Sequence, residues 1–315
     1  MTRALIFPGQ GSQAVGMGRQ LYDSFAEARE VFEEIDESLS QNLSQMIFEG
    51  PEEDLNLTEN TQPALMAVSM AVVQVLKKQG GIDFKQAAQF VAGHSLGEYS
   101  ALTAAETFSI SDAARLLKLR GQAMQKAVPV GVGSMAAVLG LSFEEVEQIA
   151  SDAAKDQVCA AANDNSVGQV VVSGHKDAVA RAVDLASEQG AKRAVILPVS
   201  APFHCTLMGP AAEAMEAALA ETTMNAPIIP VVANVTAEPT SDPDQIRKLL
   251  VDQVTGMVRW RESVLNMKDL GVEEMVELGS GKVLCGLIRR IDKEIACMNA
   301  QNPEDIETLI EKLKG

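Results

Sequence analysis

Residues 93–97 read Gly93-His94-Ser95-Leu96-Gly97, a G-x-S-x-G pentapeptide, and the residues on either side restrict what it can be. The apolar run Gln89-Phe90-Val91-Ala92 leads in as a short buried strand. The stretch Glu98-Tyr99-Ser100-Ala101-Leu102-Thr103-Ala104-Ala105 leads out as a helix. Strand, tight turn and helix in that order make a nucleophile elbow, which holds a serine in strained geometry with its hydroxyl exposed at the sheet edge. The flanking glycines leave room for the turn and for close approach of a substrate. The helix that follows aims its positive end at the place where an oxyanion would form. A glycine-bounded loop with an ordinary serine is the alternative; the strand and helix context favours a catalytic Ser95.

An elbow requires a parallel sheet, and the rest of the chain alternates accordingly. A first strand at 4–7 ends in Pro8-Gly9-Gln10-Gly11-Ser12-Gln13, and polar-faced helices follow over 19–36. A long helix begins near Pro63 and is apolar nearly all round from Ala64 to Leu76, which predicts deep burial. A further helix spans 111–126. The texture changes at Pro129-Val130-Gly131-Val132-Gly133. From there the order is β-α-β-β-α-β, with strands at 134–139, 157–162, 169–173 and 193–197 and helices at 143–155 and 176–189. That order is the split βαβ, ferredoxin-like unit. The main sheet then resumes, with strands at 229–233, 274–278 and 294–298 among further helices. The fold expected is α/β: an α/β-hydrolase-like core with a parallel sheet, residues 1–128 and 199–315, and an inserted ferredoxin-like small domain, residues 129–198.

Composition narrows the partners. A net charge of −17 argues against nucleic acid, whose phosphates need a basic surface. No apolar run approaches the roughly 18–20 residues of a membrane helix, and the N-terminal apolar stretch is too short for a signal peptide. The four cysteines, Cys159, Cys205, Cys285 and Cys297, are scattered without a C-x-x-C pair. Reduced thiols in the cytoplasm are therefore expected, with neither a disulfide framework nor a metal site.

A serine hydroxyl needs a base, and the chain has only three histidines. His94 adjoins Ser95 within the turn, where successive side chains diverge, and is read as shaping it. His175 ends a small-domain strand and is read as part of a surface turn. His204, in Ser200-Ala201-Pro202-Phe203-His204, lies where the chain re-enters the main domain, a common place for a cleft, and takes the role of base. No acid stands beside His204 to orient it, so either a distant carboxylate or a carbonyl oxygen fills that position. Arg120, taken alone, reads as part of a solvated helix face. Gly9-x-Gly11 lacks the third glycine of a dinucleotide fingerprint, and Gly279-Ser280-Gly281-Lys282 lacks the phosphate-loop spacing. Both are read as close-approach turns near the site.

Phe7-Pro8-Gly9-Gln10-Gly11-Ser12-Gln13, Gly93-His94-Ser95-Leu96-Gly97-Glu98, Arg120, Phe203-His204 and Leu278-Gly279-Ser280-Gly281 occur together and in this order. In that combination the chain resembles the malonyl-CoA:acyl carrier protein transacylases of bacterial fatty acid synthesis, and also the acyltransferase domains of polyketide synthases. The resemblance implies that Ser95 is acylated by malonyl-CoA, with His204 as general base and acid. It implies an oxyanion hole from the backbone N–H groups of Gln10 and Leu96. It assigns Arg120 to the malonyl carboxylate, through two parallel hydrogen bonds. Gln253 matches the residue whose main-chain carbonyl orients the histidine. Met124, Met135 and Asn163 match pocket-lining positions. Phe203 matches an aromatic residue that accompanies malonyl preference over branched units. Holo acyl carrier protein is the implied partner, and no metal or redox cofactor is implied. Lys282, Arg289, Arg290, Arg259 and Arg261 are candidates for local positive charge toward CoA or carrier phosphate, although singly each reads as solvated. Because the sequence stops at Gly315 without a carrier domain, a freestanding enzyme is expected. A serine hydrolase, or a non-catalytic relative that kept the fold, are the competing readings.

Overall fold

The computed structural model describes residues 2–199 and 201–314. Strand β1 (Arg3–Phe7) shows how the core is organised. Its alternate side chains divide between two apolar clusters, Leu5 and Phe7 entering one and Ala4 and Ile6 the other. A strand buried on both faces belongs inside a parallel sheet covered by helices on each side. β2 (Phe90–Gly93) is the second such strand, with Val91 in the first cluster and Phe90 and Ala92 in the second.

Four more strands complete the sheet: β7 (Val231–Val232), β8 (Pro239–Thr240), β9 (Glu274–Leu278) and β10 (Ala296–Ala300), in the order β10-β9-β1-β2-β7-β8. All neighbours run parallel except the β7–β8 edge pair. Phe7 pairs with Gly93, so the loops leaving β1 and β2 emerge side by side at the carboxyl end of the sheet. Ligands of open α/β sheets bind at that end.

Strands β3 (Gly133–Leu139), β4 (Cys159–Ser166), β5 (Gln169–His175) and β6 (Arg193–Ile196) form a separate antiparallel sheet in the order β4-β5-β3-β6. Helices Phe143–Ala154 and Lys176–Glu188 pack on it around their own apolar cluster. The α/β fold with a parallel sheet and an inserted ferredoxin-like unit is thus as the sequence predicts. β4 is stitched to the rest of the protein: the Val258 N–H donates to Ala162 O at 2.9 Å and the Asp164 N–H to Val258 O at 3.0 Å. Arg261 pairs with the buried Asp164 at 2.8 Å beside this seam.

Several details depart from the expectations. The apolar helix runs Thr58–Lys78, so Pro63 lies inside it rather than near its first turn. One proline within a helix removes a single backbone bond, which burial of the whole following run outweighs. The strand expected at 229–233 is only two residues long. Cys285 and Cys297 form a disulfide, with Cα atoms 5.4 Å apart, correcting the expectation of four reduced thiols. Their spacing carries no motif; helix Val283–Ile291 folds back onto β10 and brings them together. Cys159 and Cys205 are free and buried. No helix among the described residues is long and apolar enough to cross a membrane.

The same helix is capped by a buried carboxylate. Glu277, on β9, accepts from the Leu284 N–H at 3.1 Å and the Cys285 N–H at 2.9 Å. Burial pushes its carboxyl up to about 7, against those two hydrogen bonds. Its folded pKa therefore lies above the unfolded one, so its contribution to stability is full below about 4.5 and is lost as pH rises through 7. Glu277→Gln should remove that loss. Between pH 5 and pH 8 the wild type should lose roughly 1–3 kcal/mol more than the variant, measured by urea unfolding at both values.

Candidate active site

Ser95 stands in the turn between β2 and helix Gly97–Ala104, with a left-handed φ of 53°. A non-glycine residue in that region is strained and persists only where its surroundings hold it. The glycines on either side make the turn possible. A Cβ on Gly93 would lie 1.9 Å from Gly97 O, and one on Gly97 would lie 2.3 Å from Phe7 O. Asn234, just beyond β7, fastens the turn from outside. Its Oδ1 accepts from the Ser95 N–H at 2.7 Å and its Nδ2 donates to Gly93 O at 2.7 Å.

His204 also adopts a left-handed φ, 58°, and points Nε2 at Ser95 Oγ across 2.8 Å. Its Nδ1 faces two carbonyl oxygens, Gln253 O at 2.9 Å and Gly256 O at 3.1 Å. Both are acceptors, so Nδ1 carries the proton and the Nε2 lone pair faces the hydroxyl. Burial, helped by the charge of Arg120, pushes the imidazole down to about 3. It is therefore neutral, in the tautomer that can take a proton. The question left open by the sequence has its answer here: carbonyl oxygens, and no carboxylate, hold the histidine.

Arg120, from helix Ile110–Lys126, is 1% exposed, which corrects its reading as a solvated residue. Its NH1 donates to Gln62 Oε1 at 2.8 Å, and its NH2 donates to Gln253 Oε1 at 2.8 Å and Ser95 Oγ at 3.2 Å. All three partners are neutral, and Nε is buried with no partner among the described residues. A buried guanidinium without a bonded carboxylate is costly unless an anion arrives.

These groups border a cavity of about 170 Å³. Its walls include Ser95, His204, Gln10, Leu96, Arg120, Phe203, Met124, Met135 and Asn163, nine of the ten residues singled out by sequence. The tenth, Gln253, lies behind His204 and Arg120 and is fully buried. Because Ser95's own N–H is engaged by Asn234, any oxyanion donors must come from its neighbours. The Gly279–Gly281 turn packs on the loop after β1, with Ser280 Oγ donating to Ser12 O at 2.8 Å.

Other sequence candidates lie apart from the cavity. Arg259 pairs with Glu262 at 2.7 Å and Arg290 donates to Gln169 at 2.6 Å; with Arg261, Lys282 and Arg289, neither borders it. His94 does border it, its Nε2 at 2.7 Å from Asn165 Oδ1 and its ring 5.8 Å from that of Trp260. His175 accepts at Nδ1 from the Val158 N–H, 2.9 Å, and is structural. Among the described residues no group of three or more His, Cys, Asp or Glu could hold a metal ion.

Sequence reasoning missed Gln62, Asn234 and Glu98. Glu98 is 1% exposed, and its Oε2 accepts from Gln253 Nε2 at 2.8 Å and the Asn234 N–H at 3.0 Å. A signal was present. Glu98 opens a helix with no other charge, so the whole helix is buried and its one carboxylate with it. Gln62 likewise precedes a run from Ala64 to Val73 that is apolar except for Ser69.

Comparison with known proteins follows this geometry. The family described as the acyl transferase domain matches residues 4–302. The malonyl CoA-acyl carrier protein transacylase of Escherichia coli K12 is 44% identical over 308 residues, 98% of each chain. The crystal structure of an acyl-carrier-protein-S-malonyltransferase from Bartonella henselae superposes with a TM-score of 0.98 at 55% identity, covering 100% of both chains. A second structure, described as a type II PKS acyl-carrier protein in complex with its malonyl-transacylase, gives a TM-score of 0.95 at 40% identity, covering 99% of this chain and 100% of that one.

The clamp on the turn can be tested directly. Asn234→Ala leaves the buried Ser95 N–H and Gly93 carbonyl unpaired and should cost about 1–3 kcal/mol of stability in urea unfolding. A change below about 0.5 kcal/mol would show that the elbow holds its strain without Asn234.

Proposed function

This chain belongs to the acyl transferase domain family and, within it, to the malonyl-CoA:acyl carrier protein transacylases, and from that membership we propose how its residues divide the reaction. The enzyme moves a malonyl group from malonyl-CoA to the phosphopantetheine thiol of acyl carrier protein by a ping-pong route through a malonyl-Ser95 ester. One observation carries the choice of acyl group: a fully buried guanidinium, bonded only to neutral groups, stands 3.2 Å from the serine hydroxyl.

In the first half, Ser95 Oγ attacks the thioester carbonyl while His204 Nε2 takes its proton. The backbone N–H groups of Leu96 and Gln10 receive the oxyanion. Collapse breaks the carbon–sulfur bond, and His204 returns the proton to the departing CoA sulfur. In the second half, the carrier thiol gives its proton to His204 and attacks the ester. The carbon–oxygen bond breaks, and the proton goes back to Ser95 Oγ. No electrons change hands, and no metal or redox group enters this balance. The Gln253 carbonyl stabilises the imidazolium that forms in each half, doing in part what a carboxylate does in a Ser-His-Asp triad.

Arg120 receives the free carboxylate of the malonyl group. Its guanidinium replaces the water that the carboxylate loses on entry, an exchange an acetyl group cannot use. Phe203, 8% exposed on the cavity wall, crowds the carbon that would carry an α-methyl branch. One methyl is worth only about 1–3 kcal/mol in such a pocket, so Phe203 biases the choice and Arg120 dominates it.

Intact-mass measurement after incubation with malonyl-CoA should show one malonyl adduct that maps to Ser95 and disappears in Ser95→Ala. Adding holo acyl carrier protein should move the label to the carrier. Rapid appearance of free malonate without labelled carrier would instead identify a hydrolase. Arg120→Ala should lower kcat/KM for malonyl transfer by about 100-fold or more, with acetyl transfer changed less than about three-fold. Equal losses for the two acyl groups would make Arg120 a structural residue.

A further inference from the structure

Glu98 is a buried carboxylate with no role in the proton transfers above. It does not touch His204, Ser95 Oγ or Arg120. Its connection to Arg120 runs through one side chain: Gln253 Nε2 donates to Glu98 Oε2 at 2.8 Å, and Gln253 Oε1 accepts from Arg120 at 2.8 Å. The Gln253 amide also donates to Ser95 O at 3.0 Å, so its orientation is fixed by acceptors on one side and a donor on the other. Cation, amide dipole and anion lie in sequence, each end facing its opposite. Two charges that would be expensive to bury singly are balanced at a distance of one amide, with no direct ion pair between them.

This spacing has a consequence for the ligand. A carboxylate bonded to Arg120 would occupy the site and have to be displaced. No counter-charge at all would leave a guanidinium that holds an incoming carboxylate very tightly. A transferase must let its acyl group go twice, and tighter binding of every bound state lowers KM without raising kcat. We infer that Glu98 is a positioning residue, the remote counter-charge that moderates Arg120's hold on the malonyl carboxylate so that the malonyl group can leave. The inference rests on Arg120 being the malonyl-binding residue.

Glu98→Gln tests it, because the amide oxygen keeps an acceptor for Gln253 and Asn234 while the charge is removed. The variant should show a KM for malonyl-CoA lowered about three- to ten-fold and a kcat for malonyl transfer lowered to a similar degree. Acetyl transfer, measured on the same preparation, should stay within about two-fold of wild type and serves as the check on folding. A merely structural role predicts losses for both acyl groups and no fall in KM. A raised or unchanged malonyl-CoA KM, with acetyl transfer intact, overturns the inference. Arg120→Ala separates this failure from failure of the underlying reading, which falls only if that variant loses both transfers equally.

Should Glu98→Gln not fold, the wild type supplies the same comparison through pH. Burial pushes the Glu98 carboxyl up to about 7, opposed by its bonds to Gln253 and Asn234 and by the charge of Arg120. The other titratable groups around it are Arg120 and Tyr99, with His204 beyond Gln253. Burial raises the Tyr99 hydroxyl and lowers His204 to about 3, and Arg120 stays charged, so Glu98 is the member that changes charge between pH 8 and pH 6. Lowering the pH over that range should decrease the KM for malonyl-CoA relative to that for acetyl-CoA. A ratio independent of pH overturns the inference.

Discussion

The strain at Ser95 is the constraint around which the site is built. A serine at φ 53° presents its hydroxyl above the sheet edge, but the conformation persists only because neighbours leave it no alternative. β1 supplies part of the restraint: the His94 N–H donates to Phe7 O at 3.1 Å, and Gly97 sits against the same carbonyl. Asn234 supplies the rest by holding the peptide groups on both sides of the turn. The parallel pairing of β1 with β2 thus does more than extend a sheet. It brings the loop carrying Gln10 alongside the turn carrying Leu96, so that residues from distant parts of the chain line one cavity.

Electrostatics in this cavity depend on keeping each charge out of reach of a direct partner. His204 is held neutral by burial, helped by the charge of Arg120, while two carbonyls accept hydrogen bonds from its Nδ1–H. Arg120 and Glu98 are both buried and both stand off from direct pairing, with Gln253 between them. Gln253 therefore makes two contacts, through its main chain with His204 and through its side chain with the guanidinium. Replacing its side chain would leave the histidine's carbonyl in place, so the two duties are separable in principle.

Much of this was legible in the sequence, for specific reasons. The elbow declares itself because a strand, two glycines and a following helix are all local requirements. His204 could be singled out by elimination because only three histidines exist. The β-α-β-β-α-β order of the second sheet followed from turn residues and apolar alternation. Arg120 was legible only through resemblance, because a charged side chain taken alone reads as solvated. Gln253 as the histidine's partner was out of reach of pattern, since a main-chain carbonyl has no side-chain signature. Asn234 and the Cys285–Cys297 pair were hidden for another reason: both contacts are set by how distant segments return to the sheet.

The seam between β4 and Val258 runs beside the cavity, through Asn163. Met135 and Asn163 ride on the antiparallel sheet, while Ser95, Arg120 and His204 belong to the other body, so the cavity lies between two jaws. Backbone hydrogen bonds on either side of Val258, backed by Asp164 and Arg261, latch those jaws at one separation. The gauge of the cavity is thus set by main-chain geometry some distance from the serine. A lineage that accepts larger acyl groups has two routes open to it: it can shave the wall residues one by one, or it can reset this latch and widen the whole gap at once.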